Sequence, residues 1–535
     1  MRGVRAVAAA TALALTVTVG ACGEATFTPL PRGVLPFSAP DLVNPLRGQF
    51  ENLQTTLFPQ ANSADRAYPA WPGTADENNR FTWQSLQPKN PSSVPAGARD
   101  DQRYDFRALD AAIADAAAQG HRFGFRVTAF DSCCAATKPG ATVSSVPDWL
   151  RSVPGATHTY DHAGVHYVIP NWNSNAYLSR FTALLAALGR RYDHDERVAV
   201  FEMSGYGDFS ENHVTFMRDT LGLPAPTPAQ SVATLGYFSQ YRDQYIDKAA
   251  ADRLVDANLR AFPDTRIVAA MGNPEIAKRL LRDSPVLKRV RHPVGMRSDS
   301  LGTYPVIPTW AENQYSQYVQ RRDPIVSILT ERYRTAPIMT EWPPQLLLGG
   351  TELQYYQTGL QDVVNYHVSM TASTGFPAQT SSTPMSAQIY DLWSRANKYA
   401  GYRYAATGVA LSGSDLAVTW TNFGSAPTYE DWHVQYQIVD QQGHVRRTVP
   451  GGIRLGTLAA DQHFTDLSGA PAAASAVDHV DVSGLAPGTY YVRVRVDWAE
   501  HKPRATHIVD LPPMQLAMQG RYGDGGYDAG TITVE

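Results

Sequence analysis

The chain has 535 residues, with 46 Lys and Arg against 50 Asp and Glu, a formal charge of −4 and no basic run. That length asks for two or three domains, and the charge argues against a nucleic-acid partner. Aromatic residues make up 10% of the chain, with 10 Trp and 27 Tyr, enough to fill cores and leave some as stacking surfaces.

At the start, Arg2 and Arg5 precede an apolar run from Ala6 to Val19, too short to span a bilayer comfortably, and Val19-Gly-Ala-Cys22 follows. This resembles a bacterial lipobox. It implies export, lipidation at Cys22, and a membrane contact through an N-terminal lipid anchor on the outer face of the cytoplasmic membrane; an ordinary cleaved signal is the alternative. Residues 1–22 therefore read as a leader and 23–40, rich in Pro, as a tether. Two further cysteines, the neighbours Cys133 and Cys134, form either a vicinal disulfide or a pair of thiols.

Residues 44–51 predict a first strand, and 80–88, stopped by Pro88, a second. A helix over 105–120 carries Phe106, Leu109, Ile113 and Ala116 on one face and ends at Gly120; 121–130 alternates as a third strand. Between 146 and 172 the pattern predicts a hairpin turning at Ala163-Gly164, with His158, His162 and His166 spread along it rather than gathered for a metal. Leu178, Phe181, Leu185, Leu188 and Tyr192 mark an amphipathic helix feeding a fourth strand at 198–203. A long helix is expected over 237–262, and strands five to eight at 265–271, 292–299, 336–342 and 366–374. Eight strands separated mostly by helical segments predict an α/β fold, a (β/α)₈ barrel over 41–400. Beyond it, period-two runs such as Leu416-Ala-Val-Thr-Trp420 and Tyr490-Tyr-Val-Arg-Val-Arg-Val496 predict an all-β sandwich over 401–535, fibronectin-like and expected to pack on the barrel.

In a parallel barrel the working residues sit where strands end, which selects Arg47, Trp83, Arg126, Asp131, Asp208, Glu211, Arg297, Asp299, Glu341 and Trp342. The fourth strand runs into Ser204-Gly-Tyr-Gly-Asp-Phe-Ser-Glu-Asn-His213, and the seventh delivers Glu341-Trp342 before two prolines. Two carboxylates lifted to one rim are the parts needed to cleave a glycosidic bond without a cofactor. Glu341 is the expected nucleophile and Glu211 the expected acid/base, with Asp208 or Glu202 as alternatives for the latter. Arg126, Arg297 and Asp299 would orient the carboxylates or touch substrate. Trp83, Trp149, Trp172 and Trp342 would supply either stacking walls for a sugar ring or ordinary packing. No Gly-x-Ser-x-Gly elbow, His-Glu-x-x-His helix, P-loop or dinucleotide glycine fingerprint is present.

The ordered motifs Asn44-Pro-Leu-Arg-Gly48, Arg80-Phe-Thr-Trp-Gln-Ser-Leu-Gln-Pro88, Val146-Pro-Asp-Trp149, Ser204 to His213 and Met339-Thr-Glu-Trp342 resemble those of clan-A (β/α)₈ glycoside hydrolases. They are most similar to exported bacterial barrel-plus-sandwich proteins akin to β-galactosidases. The resemblance implies a retaining hydrolase with an acid/base glutamate after strand four and a nucleophile on strand seven, acting on a polysaccharide or glycoconjugate. Glu341 matches that pattern. The Asn-Glu pair usual at the end of strand four is replaced by Gly205-Tyr206, which leaves a second expectation open: a barrel that binds carbohydrate or scaffolds the envelope without catalysis.

Overall fold

The computed structural model describes residues 30–54, 61, 65–68, 71–132, 138–219, 246–299, 301–343, 350–377 and 386–535. The expectations for Cys22, Cys133 and Cys134 lie outside these residues, as does the first part of the helix expected at 237–262.

Eight parallel strands close into a barrel in sequence order: β1 (Gly48–Asn52), β2 (Thr74–Thr82), β3 (Arg122–Thr128), β4 (Val198–Glu202), β5 (Arg266–Ala270), β6 (Gly295–Ser298), β7 (Ile338–Thr340) and β8 (Met370–Ala372). Among the described residues five longer helices ring it: α1 (Arg107–Ala118), α2 (Asn175–Tyr192), α3 (Lys248–Ala261), α4 (Glu352–Asn365) and α5 (Ala387–Tyr399). Local chemistry sets their ends. Ser174 caps α2 by accepting from Tyr177 N, Asp247 caps α3 by accepting from Ala250 N, and Thr351 with Gln354 forms a capping box on α4. Helices α2 and α3 touch backbone to backbone at Gly189, where a Cβ would lie 2.1 Å from the Ala261 carbonyl oxygen. Leu46, Phe50, Ala199, Val200, Val268, Met339, Met370 and Ala372 form a small buried cluster of their own, while the main core fills the space between strands and helices.

The second strand departs from the expectation at 80–88. It begins at Thr74, ends at Thr82, and gives way to a helical turn over Trp83–Leu86 capped by Thr82. The run Asp76-Glu77-Asn78 looks like loop because it is polar, yet it is buried and each residue has a partner: Asp76 accepts from Leu46 N at 2.7 Å, Glu77 pairs with His121 at 2.8 Å, and Asn78 donates to Glu202 at 2.8 Å. The first strand starts at Gly48 rather than residue 44, and Tyr366 caps α4 instead of opening β8.

The insertion folds as a hairpin of Thr157–His162 with Val165–Pro170, turning through Ala163 and Gly164 in left-handed conformation. Its three histidines are spread along exposed strand positions, and His166 pairs with Asp161 at 2.5 Å.

The C-terminal region is a sandwich of two antiparallel sheets. One contains β9 (Tyr404–Ser412), β10 (Asp415–Asn422) and β13 (Ala474–Asp481); the other orders β12 (Val445–Pro450), β11 (Trp432–Val439), β14 (Gly488–Trp498) and β15 (Tyr527–Val534). Trp420 Nε1 donates to Tyr436 Oη, which donates to Asp478, a buried polar link across the core. The sandwich docks on the N-terminal ends of the barrel strands: Glu430 pairs with Arg122 at 2.6 Å, Glu500 with Arg266 at 2.8 Å, and Lys502 Nζ donates to Asp195 O, Val198 O and Thr265 Oγ1. One end of the barrel is thus covered by the chain itself. The other, where strands end, is left for a site. Among the described residues no helix is long and apolar enough to cross a membrane.

Candidate functional site

Period-two alternation decides what the mouth contains. On β2, Phe81 packs outward into the helix layer while Asn78 reaches inward to Glu202, so Arg80, two residues on, also faces the barrel axis. Arg80 stands in register with Arg126 of β3, whose neighbours Phe125 and Val127 likewise point outward. Strand β4 contributes Glu202 and β6 contributes Arg297. The residue after β7 is Glu341.

These groups form one buried network. Glu202 accepts from Asn78 and is paired with Arg126 at 3.1 Å and Arg297 at 3.2 Å. Glu211 is paired with Arg126, with Arg297 at 3.6 Å, and with His213 Nε2 at 3.4 Å. A single nitrogen, Arg297 Nη2, also lies 2.8 Å from Glu341 Oε2 and 3.3 Å from Asp299 Oδ1. Three carboxyl groups from three segments, Glu211, Asp299 and Glu341, therefore converge on one nitrogen, and Glu202 adds a fourth to the same guanidinium. Glu341 Oε1 takes no hydrogen bond or ion pair from the described residues.

Glu211 is delivered by the turn after β4, where Gly205, Gly207, Phe209, Ser210 and Asn212 all adopt positive φ. Such backbone persists only when its surroundings over-determine it. Here Asp208 N donates to His213 O, Phe209 N to Phe130 O, Asn212 Nδ2 to Ala270 O, and Ser210 Oγ to Val127 O. Gly207 is required outright, since a Cβ there would meet the His213 backbone at 2.3 Å.

The acids are not equivalent. Burial alone would raise Glu211, but Arg126, then His213 and Arg297, outweigh it and hold this carboxyl well below the usual range. Asp299 is ion-paired with Arg297, which it shares, and faces Glu211 and Glu341; burial, then Glu211, outweighs Arg297 and Arg126 and pushes it well above the usual range, and its side chain is the most open of the three at 22% exposed. Burial pushes Asp208 up to about 6. His213 is pulled down by burial but raised further by Glu211 and Asp208, to about 9. Asp299 is therefore the acid of this cluster whose protonated form the surroundings favour most, and His213 is cationic at neutral pH.

Several expected site residues lie elsewhere. Arg47 sits before β1, at the opposite end of the barrel, bonded to Asp41, Leu42 O and Lys398 O. Trp83, Trp172 and Trp342 are no more than 2% exposed and Trp149 is buried: Trp83 packs edge-on to Trp149, Tyr177 and Phe181, Trp172 on Tyr206, and Trp342 on Tyr355 and Tyr356. An aromatic beside a strand end is as useful to the helix layer as to a cleft, and here the helix layer takes all four. Asp208 is buried, accepting from Phe216 N at 3.1 Å and lying 3.9 Å from His213, so it orients that imidazole. Asp131 follows β3 and adds negative potential near Arg80. Asn78, Arg80 and His213 also belong to the mouth; for the first two, the signal was the alternation within β2, legible once that strand begins at Thr74.

Glu211, His213 and Asp299 bring ligand atoms within 4.8 Å of one another, as do Asp193, His194 and Asp264. The first trio is spacious enough for a cation, but Arg126 and Arg297 already neutralise its glutamate.

No protein-family model matches the chain, and no curated protein matches it. Among solved structures it is similar to a β-1,4-D-mannanase from Cryptopygus antarcticus, at 9% identity and TM-score 0.29 over 61% of this chain and 79% of that one. A bacterial fucosidase matches at 11% identity and TM-score 0.24 over 81% of this chain and 79% of its own. An α-L-fucosidase from Bacteroides thetaiotaomicron matches at 11% identity and TM-score 0.23, over 80% and 78%. At such scores the likeness assigns no residue a role; the barrel topology stands on the strand order itself.

Proposed function

We propose that this chain is a glycoside hydrolase that acts with retention on a polysaccharide or glycoconjugate, as an exported protein tethered through a lipid at Cys22. The observation that carries the reading is the gathering of Glu341 and Asp299 on one nitrogen of Arg297, with protonation favoured on Asp299. That shared nitrogen keeps Glu341 Oε2 and Asp299 Oδ1 within about 6 Å of each other, a spacing compatible with the ~5 to 5.5 Å between the carboxyl groups of retaining enzymes.

Glu341 Oε1 attacks the anomeric carbon while Asp299 gives its proton to the glycosidic oxygen; the carbon–oxygen bond breaks and the leaving alcohol departs. Asp299, now ionised, takes a proton from water, which attacks the anomeric carbon and frees Glu341. Arg297 holds both groups in position. Glu211, expected to be the acid/base, is too firmly ionised by its three cationic neighbours to carry that proton, and serves instead as the fixed anion that keeps Asp299 protonated.

The test is a polysaccharide panel with wild type and Asp299→Asn. An acid that must be protonated works below its pKa and fails as pH rises through it, so the wild-type profile should show an alkaline limb above the ordinary carboxylate range. Asp299→Asn should lose that limb and about 10²- to 10⁴-fold in rate on natural linkages, with much less loss on aryl glycosides whose leaving group needs no proton. Equal rates in both proteins would remove Asp299 from this role. The burial of Glu341, 8% exposed, and of Glu211, 6% exposed, favours a second reading, a barrel that binds glycan without cleaving it; binding with no product from any glycan would select it.

A further inference from the structure

The mouth contains three arginines, and two are spent. Arg126 is committed to Glu202 and Glu211, and Arg297 to Glu202, Glu211, Asp299 and Glu341. Arg80 is different. Its guanidinium lies 4.9 Å from the centre of the Phe209 ring, stacked on the strained turn that presents Glu211, and no carboxylate among the described residues lies within ion-pairing distance of it. It is part-buried at the C-terminal end of β2, level with Arg126, on the face that looks into the barrel. The aromatic shelf fixes the plane of the guanidinium and leaves its edge, with the N–H donors, unspent. A part-buried guanidinium with no paired carboxylate, pressed by burial and by Arg126 toward losing its charge and only partly offset by Glu211, Asp131 and Glu341 at longer range, is a costly thing to hold beside a reaction centre. The cost is recovered when an anion arrives.

Resting on the hydrolase reading above, we infer that the substrate is an acidic glycan, and that Arg80 binds an anionic substituent of the sugar at the cleavage point. A carboxylate, a sulfate or a phosphate ester presents the same two-oxygen edge to a guanidinium, and a bidentate contact suits all three. Phe209 contributes the platform. Because Arg80 stands apart from Asp299 and Glu341 in the ion-pair network, it selects the substrate without taking part in proton transfer.

The experiment measures binding by calorimetry to matched ligands: an oligouronide and its carboxyl-reduced form, a sulfated oligosaccharide and its desulfated form, and a phosphorylated one and its dephosphorylated form. The full chain and Arg80→Gln are compared at low and high salt. One anionic member should bind about 10- to 100-fold more tightly than its neutral partner, less so at high salt, and which pair shows the gap identifies the substituent. Arg80→Gln should erase the gap while changing neutral binding by less than about 3-fold, and Arg80→Lys, which keeps the charge and loses the fork, should restore part of it. Equal binding of every pair by wild type, or a gap that survives in Arg80→Gln, would overturn the inference. Turnover is read separately: hydrolysis indifferent to the anion sinks the inference alone, whereas an anion preference with no hydrolysis of any glycan sinks the enzymatic reading alone.

Discussion

Glu341→Gln is expected to lower kcat on the glycan that wild type cleaves by on the order of 10⁴-fold, the scale seen when a catalytic nucleophile is deleted. The loss should fall on kcat rather than KM, because the amide keeps the shape of the site. The fold should survive: Arg297 retains Glu202 and Glu211 as counter-ions, and Leu301 N bonds the backbone oxygen of residue 341, which the substitution leaves in place. A thermal midpoint within a few degrees of wild type, beside the lost activity, is the expected pair of results. An unchanged rate would remove the nucleophile from Glu341 and leave the buried network as scaffolding.

Arg126→Met is expected to act on stability instead. Arg126 is 2% exposed and is the closest cation to both Glu202 and Glu211. Deleting one member of a buried pair leaves the other charge uncompensated, at about 3 to 5 kcal/mol, so the unfolding midpoint should fall by roughly 3 to 5 °C. Arg297 and His213 would then be left to balance Glu202, Glu211 and Glu341. Adding Glu211→Gln to Arg126→Met should recover part of the loss, since the orphaned charge disappears with it, and that recovery is what a double-mutant comparison reads. A single variant within about 1 kcal/mol of wild type would mean that solvent, not Arg126, balances these acids.

How much of this was legible before the fold was in hand depends on what each residue must satisfy. Strands β3 and β4 lie within two residues of their expected bounds, because alternation in the first and a continuous apolar run in the second each announce a strand. Strand β2 was displaced because its polar residues are paired with Leu46, His121 and Glu202, and no local pattern announces partners 30 to 124 residues away. The tryptophans were equally readable as cleft or packing. Arg47 precedes a strand rather than ending one, so a shift of a few residues in β1 moved it from the mouth to the base. Which acid favours its proton was beyond reach for a different reason: Glu211, Asp208 and Asp299 are alike as sequence, and Glu211 is set apart from Asp299 by its three ion pairs against one.

The most direct test of the central claim is to trap the intermediate. Wild type is incubated with 2-deoxy-2-fluoroglycosyl fluorides of the sugars in the cleaved glycan, digested, and mapped by mass spectrometry. The account predicts one fluorosugar ester, on the peptide containing Glu341, and none in Glu341→Gln; hydrolysis that proceeds with no label, or with the label on another carboxylate, would contradict it.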